Sequence, residues 1–371
     1  MVSLGIAAPP FPIERPVSGS ASKFRTDKCL APLAKSGANR RRAAAISGPA
    51  KRIVEFEQMK GAIGLLDFLL ASQGRGQETV LVTLTDVTGS SSRAPGTHMA
   101  VAADGSSCGS FSGGCIEAAV VAEALDVLRA GKPRSVQFGA GSPYIDIRLP
   151  CGGGIALLFT PRPNAHELSR ASDWLSDRQP VALTLSLDDE LVARLATDED
   201  VTGWRNSTFV VRHDPDLHIH ILGHGEEPLA LAQVALAYGA GISIYSADED
   251  LLDRLKQLPV ESFRLHTTSR TAPLGADPYS AIVFLFHDHD WETELIAQSL
   301  ATPAFFIGAM GSRRTHAARL ARLGEAGVPD DLAARLVAPI GLIHATRDPA
   351  TLALSILSHI VAMALDTARR R

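Results

Sequence analysis

Between residues 79 and 160 apolar side chains recur in short alternating runs. From residue 217 they recur in compact runs separated by stretches of helical spacing. In the first region residues 79–87, 98–103, 107–111, 134–138 and 155–160 read as strands, with Asp104-Gly105 as a tight hairpin turn. The period changes at Ile116, from which apolar residues follow one helix face to Arg129. Residues 162–216 carry a weaker pattern that predicts a helix over 165–176 and a strand over 181–187. There, residues 198–212 read as loop or edge structure. From 217 the strands 217–222, 241–245, 281–286 and 304–307 alternate with helices ending near Tyr238 and spanning 291–300, 313–324 and 349–366. Such alternation predicts a parallel sheet covered on both faces. The fold class is therefore α/β: an N-terminal α+β domain over 59–161, a connector over 162–216 that ends it, and a Rossmann-like doubly wound domain over 217–371.

Residues 1–58 interrupt this picture. They are rich in Pro, Ser, Ala and Arg and hold ten Lys/Arg against four Asp/Glu. With no sustained periodicity they read as a disordered tail, or as residues ahead of a true start at Met59. The whole chain has a net charge of −4, so the remainder carries −10, and no basic face for nucleic acid is expected. No apolar run is seen to approach the ~20 residues of a membrane-spanning helix, so no span is expected. Four cysteines in 371 residues do not make a disulfide framework; reduced thiols in the cytoplasm fit better.

Two of those cysteines sit inside glycine runs, Ser112-Gly113-Gly114-Cys115-Ile116-Glu117 and Leu149-Pro150-Cys151-Gly152-Gly153-Gly154. Glycines let backbone amides and a ligand approach the same sulfur. Cys115 falls in the first turn of the helix from Ile116, where unpaired N–H groups favour an anion and lower a thiol's pKa. The alternative is a small buried hydrophobe beside turn glycines. Glu117 either complements the helix dipole or acts on a proton near the thiol. Arg93, in the loop Ser90-Ser91-Ser92-Arg93, is a further anion candidate; Cys29 and Cys108 are assigned no role.

In the C-terminal region Gly223-x-Gly225-x-x-Pro228, with Asp248 beyond the next strand, resembles a dinucleotide turn. Glu226 and Glu227 stand where a phosphate would dock and oppose one. His287-Asp288-His289-Asp290 follows a strand, where His287 and His289 are candidate metal ligands; a polar loop capping the next helix is the plainer reading. Gly311-Ser312-Arg313-Arg314 opens a helix and offers free amides and two guanidinium groups to an anion.

The ordered set of motifs resembles the XdhC/CoxI family, accessory proteins that mature molybdenum hydroxylases such as xanthine dehydrogenase. The resemblance runs from about Leu65 to Met363. It rests on Gly89-Ser90-Ser91-Ser92-Arg93, Gly96-x-x-Met99, Asp104-Gly105 and the two cysteine-bearing glycine runs. In the second half it rests on His287-Asp288-His289, Phe306-Ile307-Gly308, Gly311-Ser312-Arg313-Arg314, Ala338-Pro339-Ile340-Gly341-Leu342 and Ala353-Leu354-Ser355-Ile356. Ser92, Thr97, the turn His224–Pro228 and the segment after Gly341-Leu342 depart from the family pattern. The resemblance implies a chaperone without turnover of its own. Such a protein binds molybdenum cofactor (molybdopterin), is served by a cysteine desulfurase that sulfurates it, and inserts it into an apo molybdenum hydroxylase, commonly as a homodimer. It assigns Cys115 and Cys151 to the molybdenum or its sulfur. Arg93, Ser112, Gly113, Gly114, Gly152, Gly153, Gly311, Ser312, Arg313 and Arg314 are assigned to the rest of the cofactor. Two other readings stay open here: an NAD(P)-dependent oxidoreductase using Gly223, Gly225 and Asp248, and a thiol-based sulfur-transfer enzyme, either a thiol enzyme using Cys115 with Glu117 or a sulfur carrier using Cys151.

Overall fold

The computed structural model describes residues 61–114, 116–139, 142, 152–188, 190–268 and 274–370, with the side chains of His289 and Arg370 left out. The readings placed on residues 1–58, Met59, Cys115 and Cys151 lie outside them.

An apolar helix, α1 (Gly61–Gly74), precedes the long strand β1 (Thr79–Thr88). β2 (His98–Ala102) and β3 (Ser107–Cys108) follow as a meander whose turn is closed by Gly105 N–H donating to Ala102 O. After α2 (Glu117–Ala130), β4 (Arg134–Gly139) and β5 (Gly154–Pro161) complete an antiparallel sheet of order β3-β2-β1-β5-β4. Alternation along β1 builds two cores from one strand. Val80, Val82 and Leu84 pack with α2, while Leu81 joins α1 and the next helix, α3 (Ala165–Ser176).

The strand expected over 181–187 and strands within the stretch expected as loop or edge structure, 198–212, belong to a second antiparallel sheet. Its strands are β6 (Val181–Ser186), β7 (Val192–Leu195), β8 (Gly203–Arg205) and β9 (Thr208–His213), ordered β7-β6-β9-β8. Leu183, Leu185, Phe209 and Val211 join the core of α1 and α3.

β10 (His218–Gly223), α4 (Glu226–Tyr238), β11 (Gly241–Ser246), α5 (Glu249–Leu255), β12 (Glu261–Arg264) and β13 (Ser280–Leu285) open the parallel sheet. α6 (Glu292–Leu300), β14 (Phe306–Ala309), α7 (Arg313–Glu325), α8 (Asp330–Ala333), β15 (Leu336–Val337) and α9 (Pro349–Arg370) complete it. The order β12-β11-β10-β13-β14-β15 reverses direction between β10 and β13, the crevice where open α/β sheets bind ligands. Every β13 residue is buried, as a strand covered on both faces requires.

α9 bears on the expectation that no segment spans a membrane. By length and composition alone it is long and apolar enough to cross a membrane. Its apolarity is partly used inside the fold, where Ala353, Ile356, Leu357 and Ile360 enter the core shared with α4 and the sheet.

Candidate functional site: two loop clusters at the ends of the sheets

The N-terminal cluster is built from three loops. Segment 88–93 leaves β1 and touches both of the others. Arg93 Nε donates to Ser110 O at 3.2 Å, and Ser92 Oγ to Phe111 O at 3.3 Å. On its other side Gly153 lies against the same segment. A Cβ there would sit 2.6 Å from Thr88 O and 2.9 Å from Ser90 O, so only glycine fits. The two glycine runs are thus drawn toward one strand end, with β5 starting at Gly154 opposite Thr88.

Inside the loop 110–117 the amides of Phe111, Ser112, Gly113, Gly114 and Ile116 are already committed. Glu117 Oε1 accepts from Ser110 Oγ (2.7 Å), Phe111 N–H (3.0 Å) and Ser112 N–H (2.8 Å). Its Oε2 accepts from Ser112 Oγ (2.8 Å), Gly114 N–H (2.8 Å) and Ile116 N–H (3.1 Å). Burial alone would raise this carboxyl. The Ser112 N–H, the two serine hydroxyls and the helix amide outweigh it and pull the pKa down to about 2. Two expectations change. The cradle of Ser112, Gly113 and Gly114 is filled from within, by Glu117 and, at the Gly113 N–H, by Ser110 Oγ (2.9 Å), and so anionic a carboxylate is a poor proton acceptor at neutral pH. The helix also starts at Glu117, with Ile116 as its cap, so it begins after Cys115 rather than at it.

The C-terminal cluster surrounds a cavity of about 780 Å³ at the crest of the parallel sheet, within the range of small-molecule sites. Its polar lining includes Glu227, His287, Ser312, Arg313, His344 and Arg347. Ser312 caps α7 as its sequence predicts, its Oγ accepting from Thr315 N–H at 3.1 Å. His287 Nε2 stands 3.3 Å from Glu227 Oε1 on the first turn of α4. Arg313 and Arg347 form no ion pair among the described residues, so both charges remain available.

Structure separates what the sequence lists together. Arg313 lines the crest cavity, whereas Arg314 lines a smaller pocket on the flank of α7. Asp248 does not point at a vacant ribose site: it caps α5 through Leu251 N–H (3.1 Å) and accepts Gly225 N–H (3.1 Å). These bonds, Leu251 first, hold its carboxyl below its ordinary value. Glu226 pairs with Arg254, and Glu227 occupies the helix N-terminus facing the cavity. The side chain of His289 lies outside the described residues. Among the described residues no three His, Cys, Asp or Glu side chains are grouped as a metal site.

Sequence reasoning missed the wall formed by residues 343–348. That segment is set by Ile343 N–H donating to Ser355 Oγ (2.8 Å) and Gly341 N–H to His359 Nδ1 (3.1 Å). Ala345 there takes φ 56°, a left-handed conformation rare for alanine. The turn pair Pro339 and Gly341 was the available signal.

Similarity to known proteins now bears on the chain. Residues 72–139 match the model of the XdhC and CoxI family, and residues 219–360 match that of the XdhC Rossmann domain. The molybdenum cofactor insertion chaperone PaoD of Escherichia coli (strain K12) is 34% identical over 301 residues, covering 81% of this chain and 88% of PaoD. The uncharacterized protein YqeB of the same organism is 24% identical over 266 residues, covering 71% of this chain but 40% of YqeB. A crystal structure described as a xanthine dehydrogenase from Bacillus halodurans superposes with a TM-score of 0.64 at 22% identity, covering 81% of this chain and 96% of that one. That likeness supports the fold. By the identity and coverage of its relative and by both domain matches, the chain belongs to the XdhC and CoxI family.

Proposed function

We propose that this protein binds the molybdenum cofactor as cargo, supports its sulfuration, and inserts it into an apo molybdenum hydroxylase of the xanthine dehydrogenase or CO dehydrogenase type. One observation carries the reading: 34% identity to a molybdenum cofactor insertion chaperone across most of both chains. The chain acts as a carrier without turnover of its own, in the cytoplasm, as a homodimer, with a cysteine desulfurase as sulfur donor.

The residues present suit such a cargo. A molybdopterin ends in a phosphate, and the crest cavity offers the capped start of α7 with the uncommitted guanidinium groups of Arg313 and Arg347. Ser312 and Gly311 supply the close backbone, and His287 adds a polar contact beside Glu227. Cys115 and Cys151 are assigned to the molybdenum or its sulfur because thiolates are soft ligands. Arg93, Ser112, Gly113, Gly114, Gly152 and Gly153 are assigned to the rest of the cofactor. Glu117 holds the loop 110–117 in shape from within and exchanges no proton with the cargo. With Asp248 spent inside the nucleotide-type turn and the Glu227 carboxylate at its helix start, NAD(P) is not part of this reading.

The test is transfer. Protein isolated without oxygen from a cofactor-producing host is mixed with an apo molybdenum hydroxylase, and hydroxylase activity is followed. Activity that rises in proportion to added carrier supports the proposal. No gain, from carrier shown to contain molybdopterin, overturns the insertion step.

A further inference from the structure

Behind the crest, on the flank of α7, lies a pocket of about 200 Å³ lined by Glu292, Arg314, Thr315, Ala318, Arg319 and Arg322. Arg314, Ala318 and Arg322 are spaced at i, i+4 and i+8, so they share one helix face. Two turns of helix, about 12 Å, separate the two outer arginines, a gap their long side chains can close above the small Ala318. Neither Arg314 nor Arg322 forms an ion pair among the described residues.

Beneath them Arg319 is 3% exposed and paired with the equally buried Glu292: Nε donates at 3.0 Å and Nη2 at 2.7 Å. Nη2 also reaches Met310 O at 3.1 Å. Its Nη1, however, has no hydrogen-bond partner among the described residues. An unspent buried guanidinium N–H costs about 1–3 kcal/mol unless something receives it. Three arginines against one glutamate leave two positive charges around a space that fits a small tetrahedral group.

We propose that this pocket is a binding site for a doubly charged tetrahedral oxyanion, either free or as the terminal group of a phosphate monoester. Arg314 and Arg322 clasp it from the helix face, the Thr315 hydroxyl donates to it, and Arg319 supplies charge from below. The site is distinct from the crest cavity, although Thr315 lines both. It does not depend on the cargo reading.

The test is isothermal titration of the full chain, at low ionic strength, with inorganic phosphate, sulfate and glycerol phosphate. The exposed positions are probed by Arg314→Gln and Arg322→Gln, which leave the buried Glu292–Arg319 pair intact. Arg129→Gln, a substitution on α2 whose side chain is 75% exposed, controls for loss of one surface charge. Saturable binding weakened at least about tenfold by each α7 variant but not by Arg129→Gln is expected, with unliganded melting temperatures unchanged. Binding of all three probes identifies a site open to free and esterified groups; binding of the inorganic ions alone identifies a closed one. No binding of any probe overturns the proposal. So does equal weakening by Arg129→Gln.

Discussion

Gly114 N–H donates to Glu117 Oε2 at 2.8 Å, and this contact turns a glycine loop that looks prepared for an outside anion into one that carries its own. Five further donors surround the same carboxylate, so the loop beside Cys115 is shaped before any ligand arrives. Glu117→Gln replaces an all-acceptor group with one that presents an NH₂ to these donors. It is expected to cost about 2 kcal/mol or more, read as a lower denaturant midpoint at an unchanged m-value. A neutral result would mean the loop does not depend on this carboxylate.

The turn that resembles a dinucleotide site is tied down by the 3.1 Å bond from Gly225 N–H to Asp248. Glu227 adds a negative charge at the helix start, where a pyrophosphate would need a positive one. Fluorescence titration with NADH or NADPH is therefore expected to show no saturation below about 1 mM, equivalent to about −4 kcal/mol. Micromolar affinity would restore the oxidoreductase reading.

Acid should weaken the fold through buried histidines. His98 Nδ1 meets Thr83 Oγ1 at 2.8 Å, and its Nε2 meets His213 Nε2 at 3.0 Å. Burial first, and the neighbouring His213 second, push His98 well below 6.5; burial pushes His213 to about 4. Burial, with His218 beside it, takes His220 to about 4 as well. These rings are neutral in the fold but take protons at about 6.5 when unfolded. Their contribution is therefore complete above pH 6.5 and declines as pH falls toward 4, by at most about 1.4 kcal/mol per pH unit per ring. Melting temperature measured from pH 7 to 4.5 should drop, and His213→Gln should flatten the slope. A slope unaltered by that substitution would assign the acid sensitivity elsewhere.

Glu292 and Arg319 form a buried pair, 2% and 3% exposed. Glu292→Ala leaves the guanidinium buried without its carboxylate and is expected to cost about 3–5 kcal/mol. Replacing both residues by methionine should recover most of that loss, because the desolvation penalty goes with the charges. Chemical denaturation of the single and double variants checks this; equal losses in both would mean packing, not charge, sets the cost.

How far the residues themselves announced this structure varies by element. β1 and the β10–α4 unit were legible because alternation and helical period are strong there, and Ser312 marked the start of α7. β12 was not, since all four of its side chains are exposed and its order comes from pairing with β11. β9 reads only as loop or edge structure because its buried core, Phe209 to Val211, is three residues long. At the site, Arg313 and Arg314 are adjacent in sequence yet face different pockets, a consequence of the 100° step between helix neighbours. The filling of the glycine cradle by Glu117 could not be read from spacing, because the same residues serve equally well to receive a ligand.

The most direct measurement is the molybdenum and pterin content of the full chain, purified without oxygen from a cofactor-producing host. It would be compared with Arg313→Gln, Arg347→Gln and Cys115→Ala, each checked for an unchanged melting temperature. A carrier of molybdenum cofactor should hold near-stoichiometric molybdopterin. That content should fall roughly tenfold when either crest arginine is neutralised, as the loss of a charge-assisted phosphate contact predicts. Molybdopterin absent from the folded wild-type protein would contradict it.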